Sequence, residues 1–520
     1  MDTLTSASLD WALQHLRRFG DTDIFPVPFE IEVINHDWQA LQKKLMSLDL
    51  ATYRIGALRR TLVPKPNAGF RVATQLDPLD SLVYTALIYE AAEAIEHSRV
   101  SLSQRVACSY RIKLDAGGSF FRSDNGWSDF QQRSSELVSS GNFTHVLFAD
   151  VSDFYTQIYH HRLENALADA NLSDERRRNI IKFISQLTAA QSRGIPVGPY
   201  ASILLAEVCL NDVDVFLLRK GYTHVRYVDD FRIFCSTERN ALTVLHNLSE
   251  YLYTSQRLSL EPSKIRIVPV EQFVTRELFD PEQVEKQGRT SALTKLAEQL
   301  RAEAGYAEGD EANKDTASKK ILKKAVQDNL VALFCTCTSQ LPLHLGFARY
   351  ILRRAVQIRT EVLLPLVFGN LEVLTPILRD VAIYIKVSLP RRNITTYGVQ
   401  LRQFLNSSVY ADIPYVRMWC LEMALNSPKL MDAATALRLA DDSAACLGIR
   451  PAAMLARAYN QANWVRAHKE TWRSNGDWDR RAIIWASSVL PADERKHWLK
   501  GVKQATDGLD RAIAELAATT

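Results

Sequence analysis

Cysteine is scarce, and what there is does not pair by spacing. The 520 residues hold seven cysteines. They are Cys108, Cys209, Cys235, Cys335, Cys337, Cys420 and Cys446, with no Cys-x-x-Cys among them. A disulfide-stapled secreted fold is excluded, and Cys335-Thr336-Cys337 is too tight and unaccompanied for a zinc site. The odd, scattered count fits a reducing cytosol, so a cytoplasmic protein is expected. Net charge is only +4, so composition does not declare a strongly basic nucleic-acid binder, and any basic patch must be local. No uncharged apolar run reaches the ~18 residues of a membrane span, so no membrane partner is expected. The start, Met1 to Ser6, has no basic segment leading into an apolar core, and no signal peptide is expected. An apolar fraction of 47% allows sizeable cores, and 520 residues imply two or three domains.

Against that plain background one stretch stands out. His224 to Cys235 is apolar and β-branched on both sides of Asp229-Asp230. It reads as two strands joined by a tight turn that carries both carboxylates. Adjacent Asp residues are common in ordinary surface turns, but in an apolar hairpin they repel unless a cation is near, and Mg²⁺ prefers carboxylate oxygens. A second constellation, Asp150 to Ile158, places a carboxylate at the end of the buried strand 144–151 and aromatics directly after it. Packing explains this poorly. Two metals held by Asp150, Asp229 and Asp230 would activate an attacking 3′-hydroxyl and stabilise a leaving pyrophosphate. Tyr155 can wall a sugar pocket and exclude a 2′-hydroxyl, or be a core aromatic. Asp153 reads mainly as a helix or turn cap, and His160 and His161 as helix-surface residues without metal-ligand spacing.

Taken in order, apolar periodicity predicts helices over 8–20, 36–48, 77–97, 127–139, 174–190, 201–218 and 240–256. Val63 to Val72 reads as a hairpin with Lys65 and Arg71, two cations able to hold a triphosphate or simply to face solvent. Arg193 to Tyr200 is a Gly/Pro loop opening a long helix. Glycines such as Gly198 let backbone approach a ligand, and a helix N-terminus favours phosphate or a template backbone, although such loops also serve as plain turns. Leu258 to Ile267 makes a turn and strand. Its Lys264 can protonate a leaving pyrophosphate or be a surface lysine.

In combination these pieces resemble the fingers and palm of reverse transcriptases over about residues 50–270. Val63–Val72 resembles the fingers hairpin, Asp150–Ile158 motif A, Arg193–Ser202 motif B, Tyr227–Asp230 motif C and Leu258–Ile267 motif D. The resemblance implies Asp150, Asp229 and Asp230 as catalytic carboxylates and metal ligands, with the Val151 carbonyl as a further ligand. It implies two Mg²⁺ ions (Mn²⁺ as a substitute) and nucleotide contacts from Lys65, Arg71, Val151, Phe154, Tyr155, Val197, Gly198 and Lys264. One departure stands out: motif B of templated enzymes usually reads Gly-x-Pro-Gln-Gly, whereas Val197 fills the Gln position here, and Val cannot hydrogen-bond to nucleotide or template. Gly194 to Pro199, Phe154-Tyr155 and Ile158-Tyr-His160 are similar to bacterial abortive-infection reverse transcriptases, a defence-associated group that includes a phage P2 prophage protein. That likeness implies untemplated DNA synthesis from dNTPs, primed on the protein's own hydroxyl, in a homo-oligomer, with single-stranded DNA as product. A conventional RNA-templated enzyme, with RNA as a partner, and a catalytically idle nucleic-acid-binding scaffold are the alternatives.

The C-terminal half reads differently. Residues 281–325 are a charged, Gly-containing linker or connecting helix. From 326 to 520 the pattern is helical, with stretches such as 345–358, 371–387, 415–425, 452–459 and 480–490 broken at Pro342, Pro365, Pro390, Pro414, Pro451 and Pro491. Helices of this length with short breaks suggest stacked pairs of HEAT-like kind. Trp464, Trp472, Trp478, Trp485 and Trp498 lie among Arg457, Arg466, Arg473, Arg480 and Arg481, which suits a Trp-filled core or base stacking and phosphate binding. The expected architecture is thus an α+β fingers and palm over 1–280, without a normal thumb, followed by an all-α domain over 326–520.

Overall fold

The computed structural model describes residues 2–65, 69–123, 126–278, 311–340, 342–389 and 394–520, with backbone alone for 311–322. The region 279–310, most of the expected charged connection, lies outside the described residues. The chain forms two compact units. One holds the residues up to Arg60, those from Ala73 to 278, and Asp507–Ala512. The other holds Thr61–Val72, the residues from 311 to Thr506, and Ile513–Thr520.

The first unit opens with α1 (Ser6–Phe19), started by the Thr5 hydroxyl accepting from the Ser8 amide and stopped at Gly20 with φ 81°. α2 (Glu30–His36) and α3 (Trp38–Met46) follow; next in the chain, β1 (Arg59–Lys65) and β2 (Gly69–Gln75) pair as a two-stranded sheet, of which Thr61–Val72 is counted with the second unit. Asp77 caps α4 (Pro78–Ser98), with Pro78 in the first turn. α4 and the later α9 (Tyr200–Arg219) are apolar almost all round, as suits helices buried on most sides. Between them come α5 (Trp127–Ser139), β3 (His145–Asp150), α6 (Phe154–Gln157), α7 (His160–Asp169) and α8 (Asp174–Leu187). Then follow β4 (Thr223–Tyr227), β5 (Asp230–Cys235), α10 (Glu238–Tyr251), a π turn over Leu252–Gln256, β6 (Arg266–Pro269) and α11 (Val270–Arg276).

The four central strands lie in the order β4-β5-β3-β6, all antiparallel. Alternation sends Val146, Phe148, Val225, Phe234 and Val268 into one core with Phe130 of α5 and Phe273 of α11. Leu147, Ala149, Phe231 and Ile233 point the other way and are fully buried on the side of α9 and α10. Both faces are covered, so the strand ends and the turns are what the sheet offers to chemistry.

In the second unit every described element from 311 on is a helix or a 3₁₀ turn, beginning with Glu311–Ser339. Helices two apart in sequence pack together: Leu345–Gln357 on Leu378–Ser388, that on Pro414–Asn426, and Arg450–Ala458 on Asp477–Ala486. The region is all-α, while HEAT-like repeats are not established. The expected helix over 371–387 is interrupted. Pro376 sits in a 3₁₀ turn, Thr375–Ile377, and the α-helix starts only at Leu378 because proline cannot continue a ladder that needs its N–H. Trp472, Trp478 and Trp485 are buried, and Arg457 lies 4.3 Å from the Trp485 ring centre. These rings therefore serve the helical core.

Gly398, in the helix Ile394–Ser407, lies against the Leu430 carbonyl so closely that a methyl group would collide with backbone. Gly398→Ala is expected to lower the stability of this unit by about 1–3 kcal/mol through overpacking. A denaturant titration with a reporter in the helical unit checks this; an unchanged midpoint would contradict the packing.

Candidate nucleotidyl-transfer site

The sheet register brings the carboxylates together. Asp150, last residue of β3, pairs directly with Asp230, first residue of β5, and Asp230 pairs with Tyr227 across the β4–β5 hairpin. The turn has only two residues, Val228 and Asp229, so Asp229 projects at the same end of the sheet. A two-residue hairpin of right-handed twist needs positive φ at its first central position and normally takes Gly there. Here Val228 takes it, with φ 55°, a β-branched residue in a strained conformation. The strain is offset locally. The Val228 amide donates to Ser109 Oγ (2.8 Å), and its carbonyl accepts from Arg226 Nη1 (3.2 Å). The Val151 amide donates to the Asp229 carbonyl (3.3 Å), which ties the turn to the end of β3.

The segment 258–264 closes another side. Ser152 N–H donates to the Ser259 carbonyl and Glu261 N–H to the Asp150 carbonyl, so Leu260 lies beside Val151. This places Lys264 Nζ 2.7 Å from Asp150 Oδ2. Three carboxylates and one ammonium share the site, and negative charge is in excess. Burial, then repulsion from Asp150, pushes Asp229 up to about 7. Burial also raises Asp230, to about 6, with Arg232 pulling down and Asp150 pushing up. For Lys264 burial opposes the charge, but the bond to Asp150 and the field of all three carboxylates hold its pKa above the ordinary value. Oxygen ligands in excess of cations suit a hard divalent ion. Among the described residues, no group of three His, Cys, Asp or Glu side chains converges closely enough to form a preassembled metal cage; the Lys264 ammonium takes the place of a counter-ion on Asp150.

Phe154 is buried in the core, whereas Tyr155 is only partly buried. The Tyr155 phenol is pushed well above its usual range by burial, then by Tyr110, Glu207 and Asp229, so it shares an electrostatic neighbourhood with the carboxylate turn. The loop 193–199 is stitched to this aromatic segment: Ile195 N–H donates to the Tyr155 carbonyl (2.8 Å) and Gly194 N–H to the Ile158 carbonyl (2.7 Å). His160 is buried rather than on the surface, with Nε2 2.9 Å from the Gly194 carbonyl; His161 is exposed. Asp153 stands at the N-cap of α6 without a side-chain capping bond. Its carbonyl accepts from the Thr156 and Gln157 amides instead. Gly198 has φ 130°, and a Cβ there would meet Thr22 Oγ1 and the Thr74 carbonyl at 2.8 Å, so this glycine is a packing requirement. Val197 accepts the Thr74 amide on its carbonyl. Lys65 and Arg71 are exposed on β1 and β2, at the hairpin tip that belongs to the second unit. The structure therefore brings together Asp150, Val151, Asp229, Asp230, Lys264 and Tyr155 within one unit.

Sequence reasoning overlooked the ionic layer behind the turn. Arg226 is fully buried and grips Asp214 with Nε and Nη2 (2.8–2.9 Å) and Glu207 with Nη1 (2.8 Å). Arg99 Nη2 donates to the same Glu207 oxygen, and His224 Nε2 lies 3.2 Å from Asp214. Arg226 holds Asp214 down to about 2 despite burial. The available signal was spacing: Glu207 and Asp214 lie seven apart in the long apolar helix, on one face, and Arg226 interrupts an apolar strand.

Residues 63–286 match the family model for reverse transcriptase (RNA-dependent DNA polymerase). A reverse transcriptase domain is therefore present, carrying all the residues of the carboxylate site. Among solved structures, a telomerase from Candida albicans in complex with a TWJ fragment of telomeric RNA aligns at 13% identity over 75% of this chain and 71% of that one, with a TM-score of 0.32. An apo telomerase from Candida tropicalis aligns at 11% identity over 74% of each chain, with a TM-score of 0.33. No curated protein matches the sequence.

The raised carboxyl values set a pH dependence. A group whose pKa rises on folding stabilises the fold below its unfolded value of ~4 and loses that contribution as pH rises through the folded value. For Asp229 the window runs from there to about 7. In EDTA, Asp229→Asn should therefore be more stable than the parent at pH 8, by on the order of a few kcal/mol, and the gain should vanish towards pH 4. Saturating Mg²⁺ should erase the gain at pH 8. Melting curves at the two pH values decide; a variant less stable than the parent at pH 8 without metal would contradict the buried repulsion.

Proposed function

We propose that this chain is a DNA polymerase of reverse-transcriptase type that acts in bacterial anti-phage defence, by abortive infection. In this reading it joins dNTPs without a template, starting from a hydroxyl of its own side chains. The observation that carries the polymerase reading is the register: Asp150 opposite Asp230, with Asp229 in the strained turn between paired strands. Asp150, the Val151 carbonyl, Asp229 and Asp230 would hold two Mg²⁺ ions, or Mn²⁺ in their place. Bound there, the ions would supply Lewis acidity to the attacking hydroxyl and neutralise charge on the triphosphate.

The residues of the chain have separable tasks. To hold a cation, Asp150 would give up its Lys264 partner. Lys264, released by that exchange, stands one salt-bridge length from the site and can give a proton to the departing pyrophosphate. The Tyr155 phenol stays un-ionised through the working pH range and offers an edge against a ribose 2′-hydroxyl, which favours deoxynucleotides. Lys65 and Arg71 suit the triphosphate, and Gly198 keeps the loop before α9 close to the neighbouring backbone. Phe154 backs Tyr155 edge-to-face at 5.8 Å. Val197 supports untemplated synthesis, since an apolar side chain there offers no hydrogen bond to a template base. In this reading residues 1–280 are fingers and palm, 281–325 connect, and the helical 326–520 replaces a thumb, guides single-stranded DNA and joins copies into a homo-oligomer in the cytoplasm.

The test uses nuclease-treated full-length protein, Mg²⁺ and one labelled dNTP at a time, with no primer or template. Label that migrates with the protein and becomes free DNA after proteinase is expected. Asp229→Ala with Asp230→Ala should reduce it ~10³-fold or more, as loss of several kcal/mol of metal-based stabilisation implies. Label that forms only when RNA and a primer are added would overturn untemplated synthesis in favour of a conventional RNA-templated enzyme.

A further inference from the structure

We propose that Arg226 and Ser109 are positioning residues: they fix the two peptide groups of Val228 and so aim the Asp229 carboxylate at a divalent cation. The inference rests on the reading of Asp150, Asp229 and Asp230 as a cation site and adds to it the part of the fold that sets its geometry. Val228 is the pivot. Its φ of 55° is unfavourable for a β-branched residue, so the turn has a cheaper conformation available and must be held out of it. Two side chains hold it. Ser109, buried, takes the Val228 N–H on Oγ at 2.8 Å, and Arg226 gives Nη1 to the Val228 carbonyl at 3.2 Å.

Arg226 cannot drift, because its remaining donors are committed to Glu207 and Asp214, both buried and both on α9. Arg99 bonds the same Glu207 and, through Nη1, the Tyr110 carbonyl at 2.9 Å, next to Ser109. The backbone agrees: Arg226 N–H donates to the Val106 carbonyl and Cys108 N–H to the Arg226 carbonyl. Segment 106–110, helix α9 and the carboxylate turn are thereby one body. The helix begins at Tyr200, two residues after Gly198. Apolar packing of equal volume would stabilise the fold at least as well as a buried ion network. What it cannot do is present a donor to one chosen carbonyl.

The test measures Mn²⁺ binding to the full-length protein by electron paramagnetic resonance titration, with thermal melts and single-nucleotide addition beside it. The variants are Ser109→Ala, Arg226→Lys and, as the ligand control, Asp229→Asn. Lys cannot span two carboxylates and a carbonyl as guanidinium does. Loss of supporting contacts behind metal ligands typically weakens binding or activity ~10–100-fold, and this is the expected loss of Mn²⁺ affinity in both positioning variants, with kcat falling more than dNTP KM rises. Ser109→Ala removes one hydroxyl and keeps the test open if Arg226→Lys fails to fold. Variants that melt lower yet bind Mn²⁺ and turn over like the parent would overturn the proposal. So would a parent chain without any Asp229-dependent Mn²⁺ site. A parent whose Asp229-dependent site weakens as expected in the variants, but which adds no nucleotide, would uphold positioning and refute the polymerase reading.

Discussion

The structure of the first unit depends on one buried cation. Arg226 sits at zero exposure on the strand that leads into the carboxylate turn, and it is compatible with that burial only because Glu207 and Asp214 meet it from α9. Removing one partner of such a pair typically costs ~3–5 kcal/mol, because the other charge is left in a medium that cannot solvate it. The pairing holds the Arg226 guanidinium well above its ordinary pKa against the opposing effect of burial. The long helix, the strand and the segment 106–110 are therefore tied together through buried charges.

At the turn of the same hairpin the electrostatics run the other way. Asp150 and Asp230 are forced into register by the sheet, and Asp229 follows one peptide before. Their mutual repulsion is relieved only in part by Lys264 and Arg232. The unit thus places a charge-paired layer behind the turn and a layer with excess negative charge in front of it. The first holds the backbone of the turn; the second is where the proposed cation would bind. A reverse transcriptase domain over residues 63–286 is consistent with that division of labour.

Much of this was legible in the chain. Period-two alternation around Asp229-Asp230 and the apolar run into Asp150 predicted the strands, and the helix over 127–139 matches α5 residue for residue. Local signals sufficed there because each element was bounded by its own caps and turns. What was not legible required tertiary pairing. His160 looks like a surface residue until the loop 193–199 folds back on it. Asp153 is the N-cap of α6, as its residue type suggested, but its carbonyl rather than its carboxylate accepts from the helix. The role of Arg226 depends on residues 12 and 19 positions away and on Arg99 more than a hundred away. Pro376, overlooked within an apolar helical pattern, broke the helix by its missing N–H.

The proposed function requires that Asp150, Asp229 and Asp230, held in this register, take up a divalent cation in place of Lys264. Anomalous diffraction from crystals soaked with Mn²⁺ and a non-hydrolysable dNTP analogue tests it most directly. The account predicts anomalous density bounded by the three carboxylates, with Lys264 Nζ moved off Asp150 and Val228 still at positive φ. Lys264 still bound to Asp150, with no anomalous density at the turn, would contradict it.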